Sequence, residues 1–213
     1  GRWVGVLGAS GSGKSKLIEV LAGLRRPEVG SRKITQGERY DEALRLGRGP
    51  RYLPGGEPFD FDLKVRRLLQ TRARLRGLRG ASLRTALDRI VAAFSLEALW
   101  SARIGTLRRA ERRRVALADT FLDSPRIIWL DDPFWGCDDS QMRPLKTDVL
   151  AQPDRDDMIV VSTARTPADL QGLAAEVVEL KRDGQVRFQG EWRDWVRERA
   201  LPGQYKLVAK GSP

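Results

Sequence analysis

The sequence predicts an α/β fold: a mostly parallel sheet with helices on both faces and an inserted helical lobe. Three observations carry this expectation. Strand-length apolar runs, "WVGVLG", "RIIWL" and "MIVVS", recur along the chain. Segments with apolar residues at three- and four-residue steps separate them, the pattern of alternating strands and helices. A glycine-rich turn, "GASGSGKS", joins the first of those strands to the first of those helices.

Taken in order, "WVGVLG" is a β-rich run ending at Gly8, with Trp3 as a strand-start residue. "SKLIEVLAGL" then spaces Leu17, Val20, Leu21 and Leu24 as one helix face. Residues 30–63 are rich in Gly, Pro and charge, so short strands and loops are expected there. From Lys64 to about Ala102 the spacing is helical, in "VRRLLQTRARL" and "LRTALDRIVAAFSLEAL", with Gly77 and Gly80 separating the two helices. A helix from roughly Glu111 to Leu122 ends at Ser124-Pro125, where the buried strand "RIIWL" begins. An irregular segment, the helix "LKTDVLA" and the strand "MIVVST" follow. "ADLQGLAAEV" is expected to be helical, and "VVELKRDGQVRFQG" to form two strands about an Asp183-Gly184 turn. The chain thus divides into residues 1–63, the glycine-turn part of the core; 64–110, a helical subdomain; and 111–213, the acidic-strand part with C-terminal strands and a helix.

At 213 residues the chain suits one domain with an insertion, and 41% hydrophobic with 31% charged residues is an ordinary globular balance. No apolar run is long enough to cross a bilayer, and no signal-peptide pattern opens the sequence. The single cysteine, Cys137, excludes an internal disulfide and fits a reducing cytoplasm. The net charge of +11 comes mostly from arginine, in runs such as "TRARLRGLRG" and "RRAERRRV". No aromatic residues interleave with these runs as a base-stacking platform requires, so nucleic acid is not an expected partner. Solvated helix faces beside an acidic partner are the expectation instead.

Gly8, Gly13, Lys14 and Ser15 fit the spacing G-x-x-x-x-G-K-[ST], with Gly11 as a further glycine. Ala9, Ser10, Gly11 and Ser12 complete the turn. Glycines let successive N–H groups curl toward one centre, with no Cβ in the way, and the following helix adds its positive end. Lys14 is placed to reach the terminal phosphates of a nucleotide, and the Ser15 hydroxyl to ligate Mg²⁺. Lys16 adds charge toward the α-phosphate or points to solvent. The second requirement is an acidic strand end. "RIIWLDDP" delivers Asp131 and Asp132 to the carboxyl end of a buried strand, with Asp131 as the metal partner and Asp132 as the residue that orients or deprotonates water.

These motifs make the chain a P-loop NTPase by pattern, and their order resembles the nucleotide-binding domain of ABC transporters over nearly the whole sequence. "GASGSGKS" resembles that family's Walker A. "RRRVALADTFLDSPRIIWLDDP" resembles the helix after its signature running into Walker B. "FWGCDD" falls at the D-loop and "IVVSTA" at the switch-histidine strand. The resemblance implies ATP and Mg²⁺ as ligands, a membrane permease subunit as partner, and pairing as a homo- or heterodimer. It also implies a cytoplasmic location on the inner face of the membrane, with an exporter as the expected transporter.

The departures are as informative. The signature LSGGQ reads "LRRAE" from Leu107 to Glu111, with arginine where glycine gives close access to phosphate. Gly55 stands at the Q-loop glutamine, with Asp60 as a stand-in under a shifted alignment. Ala164 stands at the switch histidine, and the chain contains no histidine. Asp132 replaces the catalytic glutamate, one methylene shorter. The β-lobe and adenine-stacking aromatic that the family sets before Walker A do not precede it between Gly1 and Gly8: either the protein lacks them, in which case weak discrimination between bases is expected, or its start lies upstream of Gly1. Two functions follow from this balance. One is a transporter ATP-binding subunit with impaired or partner-dependent hydrolysis. The other is a pseudo-ATPase that binds nucleotide as a structural ligand. A P-loop small-molecule kinase is a weaker third, because it leaves the collinear motifs unexplained.

Overall fold

The computed structural model describes residues 2–31, 49–152 and 158–199. Within them, a six-stranded sheet comprises β1 (Arg2–Gly8), β2 (Arg51–Leu53), β3 (Ile127–Leu130), β4 (Ile159–Thr163), β5 (Glu176–Leu180) and β6 (Val186–Glu191). Their order is β2-β3-β4-β1-β5-β6. Every neighbouring pair is parallel except β5 with β6, which are joined through the Asp183-Gly184 turn and run antiparallel. The expected α/β architecture is what the chain adopts.

Helices cover both faces. They are α1 (Lys14–Ala22), α2 (Val65–Leu75), α3 (Gly80–Ala93), α4 (Arg109–Phe121), α5 (Asp139–Leu150), the short α6 (Pro167–Leu170) and α7 (Trp192–Arg199). Strand alternation sorts the apolar side chains between two layers. On β3, Ile127 and Trp129 pack against Ile18 and Leu21 of α1. Ile128 and Leu130 point the other way, into a larger core shared with α2 to α5. That larger core runs without a break from Trp3 and Leu7 on the sheet to Phe94 and Leu96 beyond α3. Removing this apolar surface from water is the main term holding the helices on the sheet.

Three elements differ from the sequence expectation. "ADLQGLAAEV" yields only the four residues of α6. Gly172 turns left-handed at φ 81, and β5 already begins at Glu176. α5 begins at Asp139, six residues before Leu145. The Asp138 carboxylate accepts the Gln141 N–H at 2.9 Å, and the Gln141 side chain returns a bond to the Asp138 N–H, a reciprocal cap. Pro144, directly before the expected start, lies inside that helix. Gly80 opens α3 instead of lying between helices, while Gly77 does separate them. Of residues 30–63, the stretch 32–48 lies outside the described residues; 51–53 is a strand, as expected.

The consequence for function is positional. In the order β3-β4-β1, the carboxyl ends of three parallel strands lie side by side, with Leu130 opposite Ser162 and Val6 opposite Thr163. Segments far apart in sequence therefore open onto one edge, where ligands bind in open parallel sheets.

Candidate functional site

A cleft of about 840 Å³ opens at that edge. It is lined by the glycine turn from Gly8 to Lys16, by Asp131 and Asp132, and by Thr163, Ala164 and Arg165. Of the turn residues named from the sequence, Gly8, Ala9, Ser10, Gly11, Gly13, Lys14, Ser15 and Lys16 all face it. Ser12 does not: its side chain is buried and its hydroxyl is without a hydrogen-bond partner.

The turn's shape depends on glycine at two places. Gly13 caps α1 at φ 89, a left-handed conformation that costs other residues about 1–2 kcal/mol. A Cβ on Gly8 would lie 2.9 Å from the Leu180 carbonyl, so the turn could not pack on β5 with a larger residue. No side chain caps the start of α1, and its first turn holds no acid. The amides there remain available to an anionic ligand. The Lys14 Nζ donates to the Gly8 carbonyl at 2.6 Å and the Ala9 carbonyl at 3.0 Å. An ammonium has three donors, so one is left for phosphate. Burial pushes the Lys14 pKa below its ordinary value, opposed by the nearby Asp132 and Asp131 carboxylates.

Across the cleft, Asp131 Oδ1 accepts from two hydroxyls, Ser15 Oγ at 3.0 Å and Thr163 Oγ1 at 2.6 Å. Thr163 Oγ1 in turn accepts the Asp132 N–H at 2.8 Å. Side chains from α1, β4 and the end of β3 thus converge on one point. A hydroxyl and a carboxylate there suit Mg²⁺, a hard cation that takes one or two protein oxygens and fills the rest of its shell with water and phosphate. No cluster of three or more potential metal ligands among His, Cys, Asp and Glu exists among the described residues.

Two arginines that the sequence reading did not single out organise this region. Arg113 on α4 is only 3% exposed. Its guanidinium donates to the carbonyls of Pro54, Gly56, Asp131, Asp132 and Pro133, at 2.7 to 3.1 Å. It therefore ties the loop after β2 to the acidic turn after β3. Burial lowers its pKa to about 10, partly offset by Asp132, so it stays charged at neutral pH. The run "ERRRV" reads as a solvated face, but Arg113 is buried within it; the expectation fails at this residue. The second is Arg165, whose Nε donates to Asp132 Oδ2 at 2.6 Å. Asp132 sits in a left-handed turn at φ 47, and burial raises its pKa, with Arg165 the main opposing influence.

The positions that depart from the family pattern have clear surroundings. At the Q-loop position, a Cβ on Gly55 would stand 3.5 Å from the Asp131 carboxylate. The place is beside the site, but no side chain reaches from it. Asp60 does not line the cleft, and its carboxylate accepts the Asp62 N–H at 3.0 Å. Ala164 is buried, and its N–H donates to the Val6 carbonyl at 3.0 Å. In "LRRAE", the Glu111 carboxylate caps the Arg108 N–H at 2.7 Å. Arg109 lies over the Trp135 ring at 4.6 Å, against Gly136, where a Cβ would overlap the arginine. The next arginine, Arg112, pairs with Glu57 at 3.0 Å.

Comparison with known proteins agrees with this fold. The family model described as ABC transporter matches residues 1–135. The molybdenum import ATP-binding protein ModC of Aromatoleum aromaticum is 33% identical over 205 residues, covering 93% of this chain and 53% of that protein. The ABC transporter ATP-binding protein NatA of Bacillus subtilis is 24% identical over 212 residues, covering 99% and 85%. The chain spans about half the length of the ModC relatives it matches. A solved ATP binding subunit of an ABC transporter superposes with a TM-score of 0.75 at 23% identity, covering 92% of this chain and 81% of that one. CbiO1 from Clostridium perfringens superposes at 0.74 with 20% identity, covering 92% and 80%. At those identities the likeness concerns the fold.

Proposed function

This chain belongs to the ABC transporter family, and from that premise we propose that it is a transporter's ATP-binding subunit with an intact phosphate-binding turn and impaired or partner-dependent hydrolysis. The observation that carries the proposal is the meeting of Lys14, Ser15 and Asp131 at one end of a single cleft. Gly8 to Lys16 would wrap the phosphates of ATP with backbone N–H groups, and Lys14 would neutralise charge on the terminal ones. Ser15 and Asp131 would hold Mg²⁺. When bound, that ion would offset negative charge on the phosphates. Asp132 is the residue positioned to orient water or take its proton.

Hydrolysis by the lone chain is expected to be slow. Asp132 is one methylene short, and a displacement of about 1 Å in a catalytic group costs on the order of 10²-fold in rate. Its carboxylate is also occupied by Arg165. Ala164 offers no donor to a developing phosphate charge, and Arg109 is taken up by Trp135. A heterodimer partner with an intact signature would complete the site built on Lys14 and Asp131, whereas the reciprocal site would remain poor. A membrane permease subunit is the proposed docking partner, on the cytoplasmic face of the membrane. No helix among the described residues is long and apolar enough to cross a membrane. Export is the expected direction; relatives named for import and for export both match.

A second reading is favoured by the Arg165–Asp132 ion pair: a pseudo-ATPase that binds nucleotide without turnover. One experiment addresses both. ATP binding and phosphate release are measured on the purified chain, with Lys14→Ala as control, and repeated in Asp132→Glu/Ala164→His. Binding lost in the control and turnover raised in the double variant supports the transporter reading. Binding with no turnover in any variant favours the pseudo-ATPase. No binding by the wild type refutes both.

A further inference from the structure

Arg165 has a backbone tied into the fold and a side chain that is largely exposed. Its own N–H and that of Thr166 both donate to Asp169 Oδ2, at 3.0 and 2.8 Å. The residue before it, Ala164, is buried and bonded to β1. The Arg165 side chain, by contrast, is 63% exposed and lines the cleft that Lys14 and Ser15 also line. Its one acidic partner among the described residues is Asp132, reached through Nε alone. The remaining guanidinium N–H groups have no partner there.

A guanidinium in this position has two anions to choose from. One is the Asp132 carboxylate, with a single negative charge. The other is whatever anion fills the glycine turn beside it. A phosphate group carries more charge and accepts two parallel N–H bonds from a guanidinium fork, so it competes well for an exposed arginine. Holding the cation costs little when the backbone is already in place, because only side-chain torsions must be ordered. Arg165 then serves as donor at a position where Ala164 has none.

We infer that Arg165 is a γ-phosphate-binding residue of this cleft, shared between Asp132 and the terminal phosphate of a bound nucleoside triphosphate. It follows that the chain distinguishes triphosphate from diphosphate through this side chain, and that Asp132 competes with the nucleotide for it. The inference rests on the nucleotide-binding reading above and adds a specificity determinant to it.

The test uses the full chain and two probes, Mg-ATP and Mg-ADP, with affinities from calorimetry and thermal melts as a folding control. Arg165→Ala should weaken ATP by about 10-fold and leave ADP within about 2-fold, the size of one partly exposed charge-assisted contact. Arg165→Lys should recover part of the loss. Asp132→Asn should tighten ATP relative to ADP by a few-fold, and that gain should vanish in the Arg165→Ala background, a coupling that a structural role alone does not produce. Equal losses for ATP and ADP, or an unchanged ratio, overturn the inference. If ADP binding persists in Arg165→Ala and is still abolished by Lys14→Ala, that failure leaves the nucleotide-binding reading standing. If the wild type binds neither nucleotide, both fall together.

Discussion

Two helix starts in this molecule resemble each other in backbone and differ in chemistry. α1 begins at Gly13-Lys14 with no side-chain cap and no acid in its first turn. α4 begins at Arg108-Arg109 with Glu111 in its first turn, and that carboxylate already occupies the Arg108 N–H. Both carry the same helix dipole. Only the first leaves its amides and its cleft open; the second has an internal anion and an arginine folded onto Trp135. A helix N-terminus is therefore not enough to make an anion site. The side chains around it decide whether the donors are free.

Breaking the link between the two starts should have the largest effect. Arg113 rises from α4 and binds the acidic turn beside α1, so Arg113→Met leaves several buried carbonyls unpaired. A loss of about 3 to 5 kcal/mol is expected, roughly 10 °C in Tm, checked by thermal melts. A drop within about 2 °C would show that water replaces the guanidinium. Lys14→Ala attacks the open start alone: ATP affinity should fall by about 10²-fold with Tm nearly unchanged, measured by calorimetry. Glu111→Ala attacks the plugged start. About 1 kcal/mol of stability should go with the cap, while ATP affinity stays within about 2-fold. Equal effects of these two substitutions on binding would erase the distinction.

The smallest effect concerns a pair that joins α4 to the next helix. Arg114 of α4 and Asp148 of α5 approach to 3.6 Å, yet Arg114 Nε and Asp148 Oδ2 are buried without hydrogen-bond partners. Burial raises the Asp148 pKa above its ordinary 3.8, with Arg114 opposing. The folded state then holds the proton more tightly than the unfolded chain, so this carboxyl's contribution is greatest below 3.8 and is lost as pH rises through the raised value. Relative to Asp148→Asn, the wild type should lose stability between pH 3.8 and 7 in urea titrations. A difference that moves the other way would mean Arg114 outweighs burial.

The local grammar of this chain is easy to read. Apolar runs four to six residues long flanked by glycine, proline or acid become strands, because their neighbours permit nothing else to bury them. The glycine turn and the Asp131-Asp132 strand end were legible because each needs only its own few residues to adopt its shape. Where reading failed locally, a short-range signal was outweighed. The Asp138 cap starts α5 despite Pro144, and Gly172 stops the helical pattern after Leu170.

Composition and order by themselves determined the fold class, the glycine turn and the acidic strand end, since those rest on backbone rules and short-range patterns. Only tertiary structure decided what the arginines do. An arginine has the same signature in sequence whether its charge meets water, a ring, a carboxylate or five carbonyls. Which of these it meets depends on partners 20 to 55 residues away, as for Arg113 with Pro133 or Arg112 with Glu57. The strand order β3-β4-β1 brings Arg165 to Asp132 and the Ser15 hydroxyl to Asp131, and that order is fixed by long-range packing rather than by any local run of residues.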